Sequence, residues 1–388
     1  MGLQLFGGCP GKELPEGGHI RSDIHILLIG DPGAAKSRML QYITDLAPKS
    51  IYVSGKSVSG VGLTAAAERD ELSEGGWTLK AGALVLASGG MVGVDEFDKM
   101  DEKERAAMHE AMESQTVSVA KAGIVAKFKA KTSILAAANP KFGRFDPNQL
   151  PSEQFNIAPT LLSRFDLIFP VRDIMDEEKD RKLAEHILRT HEAASAKINL
   201  LENDKTIIPT ELLRKYIAYT RKYIRPKLSP EANEKIKEYY VEMRKMGAVQ
   251  GTVSITPRYI EGLIRLSEAS AKTRLSQKVE VSDAELAIKL NDFVLRQVMM
   301  DQETGKIDVD IIATGQPKSK VEKVNALLNL IKDLQKEYDL VEIGKVIEQA
   351  ENYNMDQLTA RRLIEDLITK GDLFKPKPGF IKIVKHYG

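Results

Sequence analysis

The sequence predicts an α/β fold: a parallel sheet core with inserted hairpins, then a helical region, then a small C-terminal module of winged-helix outline. Three observations predict it. Short apolar runs alternate with helical patterns over the first 175 residues. Helical patterns alone fill 176–302. Three more helices and a Lys-rich hairpin follow from 321. Strands that alternate with helices run parallel, because each crossover helix returns the chain to the same end of the sheet. Such strands are covered on both faces and read as continuous apolar runs.

The first run is Ile24-His25-Ile26-Leu27-Leu28-Ile29-Gly30, and a helix follows over 37–46. Further strands are expected at 51–53, 91–94, 133–138 and 167–171, with a helix over 102–113. Residues 115–130 break the alternation and read as two short strands around a turn near 121–123, a hairpin inserted into the α/β unit. Helices are then expected over 177–191, 209–223, 230–246, 257–273 and 282–300. Their starts are marked by Pro209-Thr210-Glu211, by Thr256-Pro257, and by Ser282-Asp283 with Glu285 three residues on from Ser282. Gly305, Gly315, Pro317 and Ser319 suit a linker over 303–320. The last part reads as helices at 321–337, 342–351 and 356–370, a turn at Gly371, and a hairpin over 373–384. The expected division is therefore 1–175 for the α/β core, 176–302 for the helical region, 303–320 for the linker and 321–388 for the winged-helix module.

Composition narrows the function classes. Over 388 residues, 56 Lys and Arg face 55 Asp and Glu, a formal net charge of +1. With 43% apolar residues the chain is too hydrophobic to be disordered. It is also not a nucleic-acid binder by bulk charge, so any such contact must be a local patch. The length predicts more than one domain. A single cysteine, Cys9, excludes a disulfide framework and fits a reducing, intracellular compartment. No apolar run is long enough for a membrane span. The start, Met1-Gly2-Leu3-Gln4-Leu5-Phe6, reads as if it falls partway into an element, which predicts that a longer protein was cut there.

The chemistry begins at Gly30-Asp31-Pro32-Gly33-Ala34-Ala35-Lys36-Ser37, which follows a strand and opens a helix. That is the context of a P-loop. Backbone N–H groups of Asp31, Pro32's neighbours, Gly33, Ala34 and Ala35 would face phosphate oxygens, aided by the positive helix terminus. Lys36 would reach the outer phosphates and the Ser37 hydroxyl would ligate Mg2+. Ala35 stands where the motif usually has its second Gly, which is compatible with close phosphate approach if φ is negative there. The alternative is a Gly-rich turn with no ligand. A second segment, Met91-Val92-Gly93-Val94-Asp95-Glu96, ends a buried strand in two carboxylates. Asp95 would hold the metal shell and Glu96 would polarise an attacking water; an acidic helix cap is the alternative. Asn139 is placed at the end of another strand, where open α/β sheets put their ligand crevice and where it could position the lytic water; the alternative, favoured by this segment alone, is an Asn-Pro turn. Arg164, just before the next strand, can stabilise developing charge; the alternative is a surface Arg paired with Asp166.

Taken together, these residues resemble the MCM family of replicative helicases, a branch of the AAA+ ATPases, and most closely the archaeal homohexameric type. The resemblance rests on Gly30–Ser37, Asp95-Glu96-Phe97-Asp98-Lys99-Met100, Ala137-Ala138-Asn139-Pro140, Ser163-Arg164-Phe165-Asp166 and Ile255-Thr256-Pro257-Arg258. It is strong over about residues 3–300 and weaker beyond. It implies an AAA+ P-loop domain with a helical lid, ATP and ADP as ligands, Mg2+, DNA as the partner and a hexameric ring acting with replication factors. It also implies that Gly33, Lys36, Ser37, Asp95, Glu96 and Asn139 act in one subunit. Arg164 matches the arginine finger and Arg258 the second sensor, both acting on a neighbour's nucleotide. Ala35 belongs to the family pattern. In an archaeal cell such a protein would be cytoplasmic and nucleoid-associated. The family's N-terminal region is absent here, so a motor with weakened ring formation is expected.

From Ser114 to Phe145 there is no acid but there are six cations: Lys121, Lys127, Lys129, Lys131, Lys141 and Arg144. This is the local patch that the net charge hides. Lys121, at the expected turn, matches the family's hairpin lysine and is assigned to DNA. Lys127, Lys129 and Lys131 alternate with Phe128 and Ala130 and read as a solvated strand face. Trp77 reads as a packed anchor rather than a base-stacking platform, and His109 as a packed or surface histidine rather than a ligand. The C-terminal lysines 375, 377, 382 and 385 suit duplex DNA or a regulatory contact equally. A competing function is a nucleotide-dependent remodelling module acting on proteins; the acid-free hairpin favours DNA.

Overall fold

Five parallel strands organise the first part of the chain: β1 (Ile26–Gly30), β2 (Ser50–Ser54), β3 (Met91–Asp95), β4 (Ser133–Ala138) and β5 (Leu167–Val171). The computed structural model describes residues 1–56, 60–69, 77–121, 124–146, 151–173, 175–195, 208–249, 256–299, 318–338, 340–353 and 355–384. The sheet order is β5-β1-β4-β3-β2, with every neighbour parallel. Central β1 and β4 are buried along their whole length, which is why they read as unbroken apolar runs. Edge strand β2 is mostly half-buried and carries polar Ser50, Tyr52 and Ser54. This order places the C-terminal ends of β1, β3 and β4 side by side at one crevice.

Helix α1 (Gly2–Phe6) lies at the opposite end of the strands. Buried Gln4 donates its side-chain amide to the carbonyls of Ile24 and Ile134, at 2.9 and 2.8 Å. Helix α2 (Lys36–Leu46) packs on β3 at Gly93, where a Cβ would come within 2.5 Å of Thr44 Cγ2. Only glycine lets the helix this close, and the helix start is thereby fixed over the crevice. Helix α3 (Glu102–Ser114) has a true side-chain cap, with Asp101 accepting the Glu104 N–H at 2.8 Å. The hairpin Thr116–Lys121 and Ile124–Lys129 follows it. A second antiparallel pair, Ala65–Arg69 with Trp77–Ala81, was not legible in the sequence.

The helical region comprises α4 (Glu177–Ser195), α5 (Thr210–Tyr223), α6 (Pro230–Val249), α7 (Pro257–Thr273) and α8 (Val281–Met299). Thr256 occupies the N-cap of α7 but its hydroxyl makes no cap bond. The expected cap at Ser282 is not one. Helix α8 starts at Val281, and Asp283 Oδ2 accepts the Glu280 N–H at 2.9 Å instead. Asp283 is also bonded by Ser270 and Arg274, so its buried carboxylate is the stronger acceptor.

Helix α7 is held to the sheet by charge. Arg265, Glu268 and Lys272 lie along it and are all buried. Lys272 Nζ donates to the Gly8 carbonyl at 2.6 Å. Glu268 accepts the Cys9 N–H at 2.8 Å and is paired with Lys12. Asp166, next to β5, takes Arg265 at 2.7 Å and Arg21 at 3.0 Å on one oxygen and the His25 N–H at 2.8 Å on the other. An isolated buried charge is costly, so Arg265, Glu268 and Asp166 depend on their counter-charges and Lys272 on the backbone carbonyl it donates to.

The chain divides into two compact units, Met1–Gly315 and Gln316–Gly388. The second contains α9 (Lys318–Glu337), α10 (Ile343–Ala350) and α11 (Gln357–Lys370), with β6 (Val341–Glu342), β7 (Leu373–Lys377) and β8 (Phe380–Ile383) in the antiparallel order β6-β8-β7. Its own core includes Leu327, Ile331, Val346, Ile364 and Ile381. Gly371 ends α11 at φ +84°, as the turn requires. Helix α9 begins at Lys318, inside the stretch read as linker; the rest of 303–320 lies outside the described residues.

Replacing Asp166 by Asn removes the charge that buried Arg265 and partly buried Arg21 both face. It should lower the unfolding free energy by about 3–5 kcal/mol, measured by urea unfolding. Burial alone would raise the Asp166 pKa, but Arg21 and Arg265 outweigh it and hold it at about 2. In the unfolded chain the same carboxyl titrates at about 4. Its stabilisation is complete above about pH 4 and is lost as pH falls towards 2. The stability difference between wild type and Asp166→Asn should shrink over that interval.

Candidate active site

The crevice begins where β1 ends. A Cβ on Gly30 would sit 2.2 Å from the Val171 carbonyl oxygen, so β5 can pass this closely only beside a glycine. Asp31 turns its carboxylate away from the loop. Oδ1 accepts the Phe145 N–H at 2.7 Å and Oδ2 the Asp173 N–H at 2.9 Å. It thereby ties the segments after β4 and β5 to the loop. Gly33 has φ +84°, and Pro32 and Gly33 are exposed. Ala35 also adopts the left-handed region, with φ +56° and ψ +17°. The expected negative φ is therefore overturned. A Cβ there costs about 1–2 kcal/mol relative to the right-handed region. The left-handed turn swings the peptide so that α2 opens directly out of the loop.

The first turn of α2 has no acidic residue and no side-chain cap, so its N–H groups face the crevice without a built-in acceptor. Lys36 is buried there. Its Nζ donates to the carbonyls of Gly30 and Asp31, both at 2.7 Å. Burial lowers its pKa, opposed by the carboxylates of Asp31, Asp95 and Asp98. Ser37 is exposed on the same turn.

Asp95 and Glu96 lie across the crevice at the end of β3. Tyr52 donates its hydroxyl to Asp95 Oδ2 at 2.8 Å, and Asp95 Oδ1 accepts the Glu96 N–H at 2.9 Å. Glu96 is a second left-handed non-glycine residue, with φ +49° and ψ +41°. Its Oε2 accepts the Ser54 hydroxyl at 3.1 Å. Buried Asp98 accepts the backbone N–H of Asn139 at 3.0 Å, so the ends of β3 and β4 are tied together. Lys36, Asp95, Glu96 and Asn139 thus converge on one edge of the sheet. An uncapped helix start, a buried ammonium and two half-buried carboxylates on the facing strand suit a polyphosphate carrying a divalent cation.

The two arginines are elsewhere. Arg164 is buried, and its pairing with Asp166, the alternative considered above, does not occur. Arg21 and Arg265 occupy Asp166. Arg164 Nη2 instead donates to Glu113 Oε2 at 2.7 Å and its Nε to His109 Nε2 at 3.1 Å. Arg258, exposed, donates to Glu113 Oε1 at 3.1 Å. Among the described residues neither arginine bonds to Lys36, Asp95, Glu96 or Asn139. Tyr52, Ser54, His109 and Glu113 carry no motif and were not singled out for these contacts. The only available signal was the four-residue spacing of His109 and Glu113 on a helix.

Lys121 ends the first strand of the inserted hairpin, opposite Ile124. Its side-chain surroundings, and those of Trp77, lie outside the described residues. Lys127, Lys129 and Lys131 are exposed, as the alternation predicts. The root of the hairpin is held by Glu110, which accepts the Ser118 hydroxyl at 2.7 Å and the Ser118 N–H at 3.0 Å.

Comparison with known proteins agrees with this geometry. The MCM P-loop domain model matches residues 1–191 and the MCM AAA-lid domain model residues 211–295. The chain is 45% identical over 386 residues to the minichromosome maintenance protein MCM of Saccharolobus solfataricus, covering 99% of this chain and 54% of that protein. It is 46% identical over 335 residues to the DNA replication licensing factor MCM4 of Oryza sativa, covering 85% and 38%. An uncharacterized MCM-type protein of Methanocaldococcus jannaschii is 40% identical over 395 residues, covering 95% and 52%. The chain therefore spans about half the length of these relatives, or less. Both domain models match in chain order, and identity is sustained across nearly the whole sequence: the chain belongs to the MCM family.

Proposed function

We propose that this chain is the motor part of an ATP-dependent DNA helicase, hydrolysing ATP at subunit interfaces of a hexameric ring that translocates on DNA during replication. The observation that carries this is the convergence of Lys36, Asp95, Glu96 and Asn139 on one sheet edge, with Arg164 and Arg258 paired on a different face. The names of the relatives, one of them a DNA replication licensing factor, support the setting.

Each residue has a part. The loop from Asp31 to Ala35 and the first turn of α2 cradle the phosphates through backbone N–H groups, with Lys36 holding the outer ones. Ser37 and Asp95 hold Mg2+, which neutralises phosphate charge when bound. Glu96 orients and polarises the attacking water, and Ser54 holds that carboxylate in place. Asn139 aligns the same water against the outer phosphate. Arg164 and Arg258 of the neighbouring subunit meet the charge that develops there. Lys121, at the hairpin tip, contacts DNA phosphates in the ring channel without reading sequence.

In domain terms, 1–175 forms the ATPase core, 176–302 the lid and 321–388 a winged-helix domain joined through 303–320. Three helices and a three-stranded antiparallel sheet support the last assignment. On its wing, Lys375 and Lys377 are exposed, which suits duplex DNA or a regulatory partner. Replication factors are expected partners. An intracellular location, cytoplasmic and nucleoid-associated in an archaeon, follows from this role. No helix among the described residues is long and apolar enough to cross a membrane.

Lys36→Ala should lower the ATP hydrolysis rate at least about 100-fold, because the outer phosphates lose their ammonium. Normal hydrolysis by Lys36→Ala would sink the site assignment. Glu96→Gln should keep ATP binding and lose turnover, measured by nucleotide affinity and phosphate release. Lys121→Ala should leave basal hydrolysis intact. It should weaken single-stranded DNA binding and reduce the slope of log affinity against log salt by about 0.7, one phosphate contact. Hydrolysis unmoved by DNA at low salt would favour a protein-remodelling module instead.

A further inference from the structure

We infer that Glu113 is a positioning residue that holds Arg164 and Arg258 as a pair on the face each subunit presents to its neighbour's nucleotide. The inference deepens the motor reading and rests on it. Each carboxylate oxygen of Glu113 takes one guanidinium: Oε2 from Arg164 at 2.7 Å and Oε1 from Arg258 at 3.1 Å. The two arginines come from distant parts of the chain, one before β5 and one in the first turn of α7. Glu113 is the group that bonds to both.

The geometry separates orienting from occupying. A guanidinium has five N–H donors. Among the described residues, Arg164 uses Nε on His109 and Nη2 on Glu113, and Arg258 uses Nη2 on Glu113. Donors therefore remain on both forks for an incoming phosphate, without breaking the clamp. His109 lies one helical turn before Glu113 on α3, so a single helix face grips Arg164 at two points. His109 must be neutral to accept from Nε, and its burial and the Arg164 charge both lower its pKa.

Charge explains why a carboxylate is needed here. The residues lining the pocket beside this face include His19, Arg21, Glu113, Arg164, Arg258 and Glu261. Arg21 lies close behind, with Nη2 donating to the Arg164 carbonyl at 3.4 Å. Without Glu113 two guanidinia would repel each other at short range. Arg164, 9% exposed, has little room to move; Arg258, 47% exposed, would swing into solvent. Glu113 is itself half exposed, so the clamp is weak enough to orient the arginines without locking them.

The test is Glu113→Ala in the full chain, with ATP turnover and nucleotide affinity measured separately. A misaligned arginine pair should lower kcat by about tenfold or more, while nucleotide affinity, set by the other subunit's loop, changes less than about twofold. Glu113→Gln keeps an acceptor oxygen and should fall between wild type and Glu113→Ala, with an unchanged melting temperature. Mixing Glu113→Ala with Lys36→Ala subunits should restore turnover above either variant alone. An interface can then pair an intact loop from the first with an intact arginine face from the second. Unchanged or raised kcat in Glu113→Ala overturns the inference, as does a parallel loss of affinity or a mixture no better than its parents. Wild-type chain that hydrolyses no ATP overturns the motor reading, and this inference with it.

Discussion

The structure depends on one buried carboxylate. Asp166 lies beside β5 and is reached by Arg21, from just before β1, and by Arg265, from the middle of α7. It therefore joins the start of the sheet, its far edge and the helical region at a single atom group. Arg164 precedes Asp166 by two residues, and Arg258 precedes Arg265 by two helical turns. A helix repeats every 3.6 residues, so Arg258 and Arg265 project from nearly the same side of α7. Fixing Arg265 on Asp166 fixes the rotation of α7, and that rotation brings Arg258 next to Arg164. The arginine pair is thus a geometric consequence of the buried triad. The row continues with Glu268 and Lys272, which bind the backbone around Gly8 and Cys9.

A second constraint is backbone strain at the crevice. Two of the four described non-glycine residues with positive φ are Ala35 and Glu96, and both stand where a strand turns into the site. Left-handed backbone is unfavourable for any residue with a Cβ and persists only where surrounding contacts over-determine it. At Ala35 those contacts are the two Lys36 bonds to the loop carbonyls and the packing of α2 on Gly93. At Glu96 they are the Asp95 carboxylate on its N–H and the Ser54 hydroxyl on its side chain. Strain and hydrogen bonding together fix where Lys36 and Glu96 face each other across the sheet edge.

Much of this was legible in the sequence, for a physical reason. Strands buried on both faces read as continuous apolar runs, so β1, β3 and β4 announce themselves, and the polar residues at or just after their ends, Asp31, Asp95 and Asn139, mark the crevice. The loop Gly30–Ser37 is legible because phosphate binding by backbone needs small residues and a helix start. The residues that position the site were not. Tyr52 and Ser54 lie on an edge strand whose polar residues look like solvent-facing ones. Glu113 looks like any acid on an exposed helix face. Arg265, Glu268 and Lys272 would each be assigned to solvent by residue type; only tertiary pairing makes their burial possible. The Ser282 cap failed because a buried carboxylate one residue on competed better for the backbone. The negative φ expected at Ala35 failed because local preference yields where packing on both sides dictates the turn.

The near-zero net charge conceals a local division of labour. Asp166 and Asp283 are drawn inward, holding two arginines and one, and half-exposed Glu113 holds two more. The exposed lysines of the hairpin, 127, 129 and 131, have no acid in the sequence around them. Arginine suits the inward role because its planar fork tolerates partial burial and can serve a carboxylate with some donors while keeping others free. Lysine suits the outward one, as a point charge that contacts phosphate without a fixed geometry. On the proposed reading the two cations do different work in the ring. The arginines must be placed to within a fraction of an ångström against one phosphate of a neighbour, so each is held by a carboxylate. The lysine assigned to DNA on that reading, Lys121, must follow a moving polyanion, and a fixed partner would hinder it.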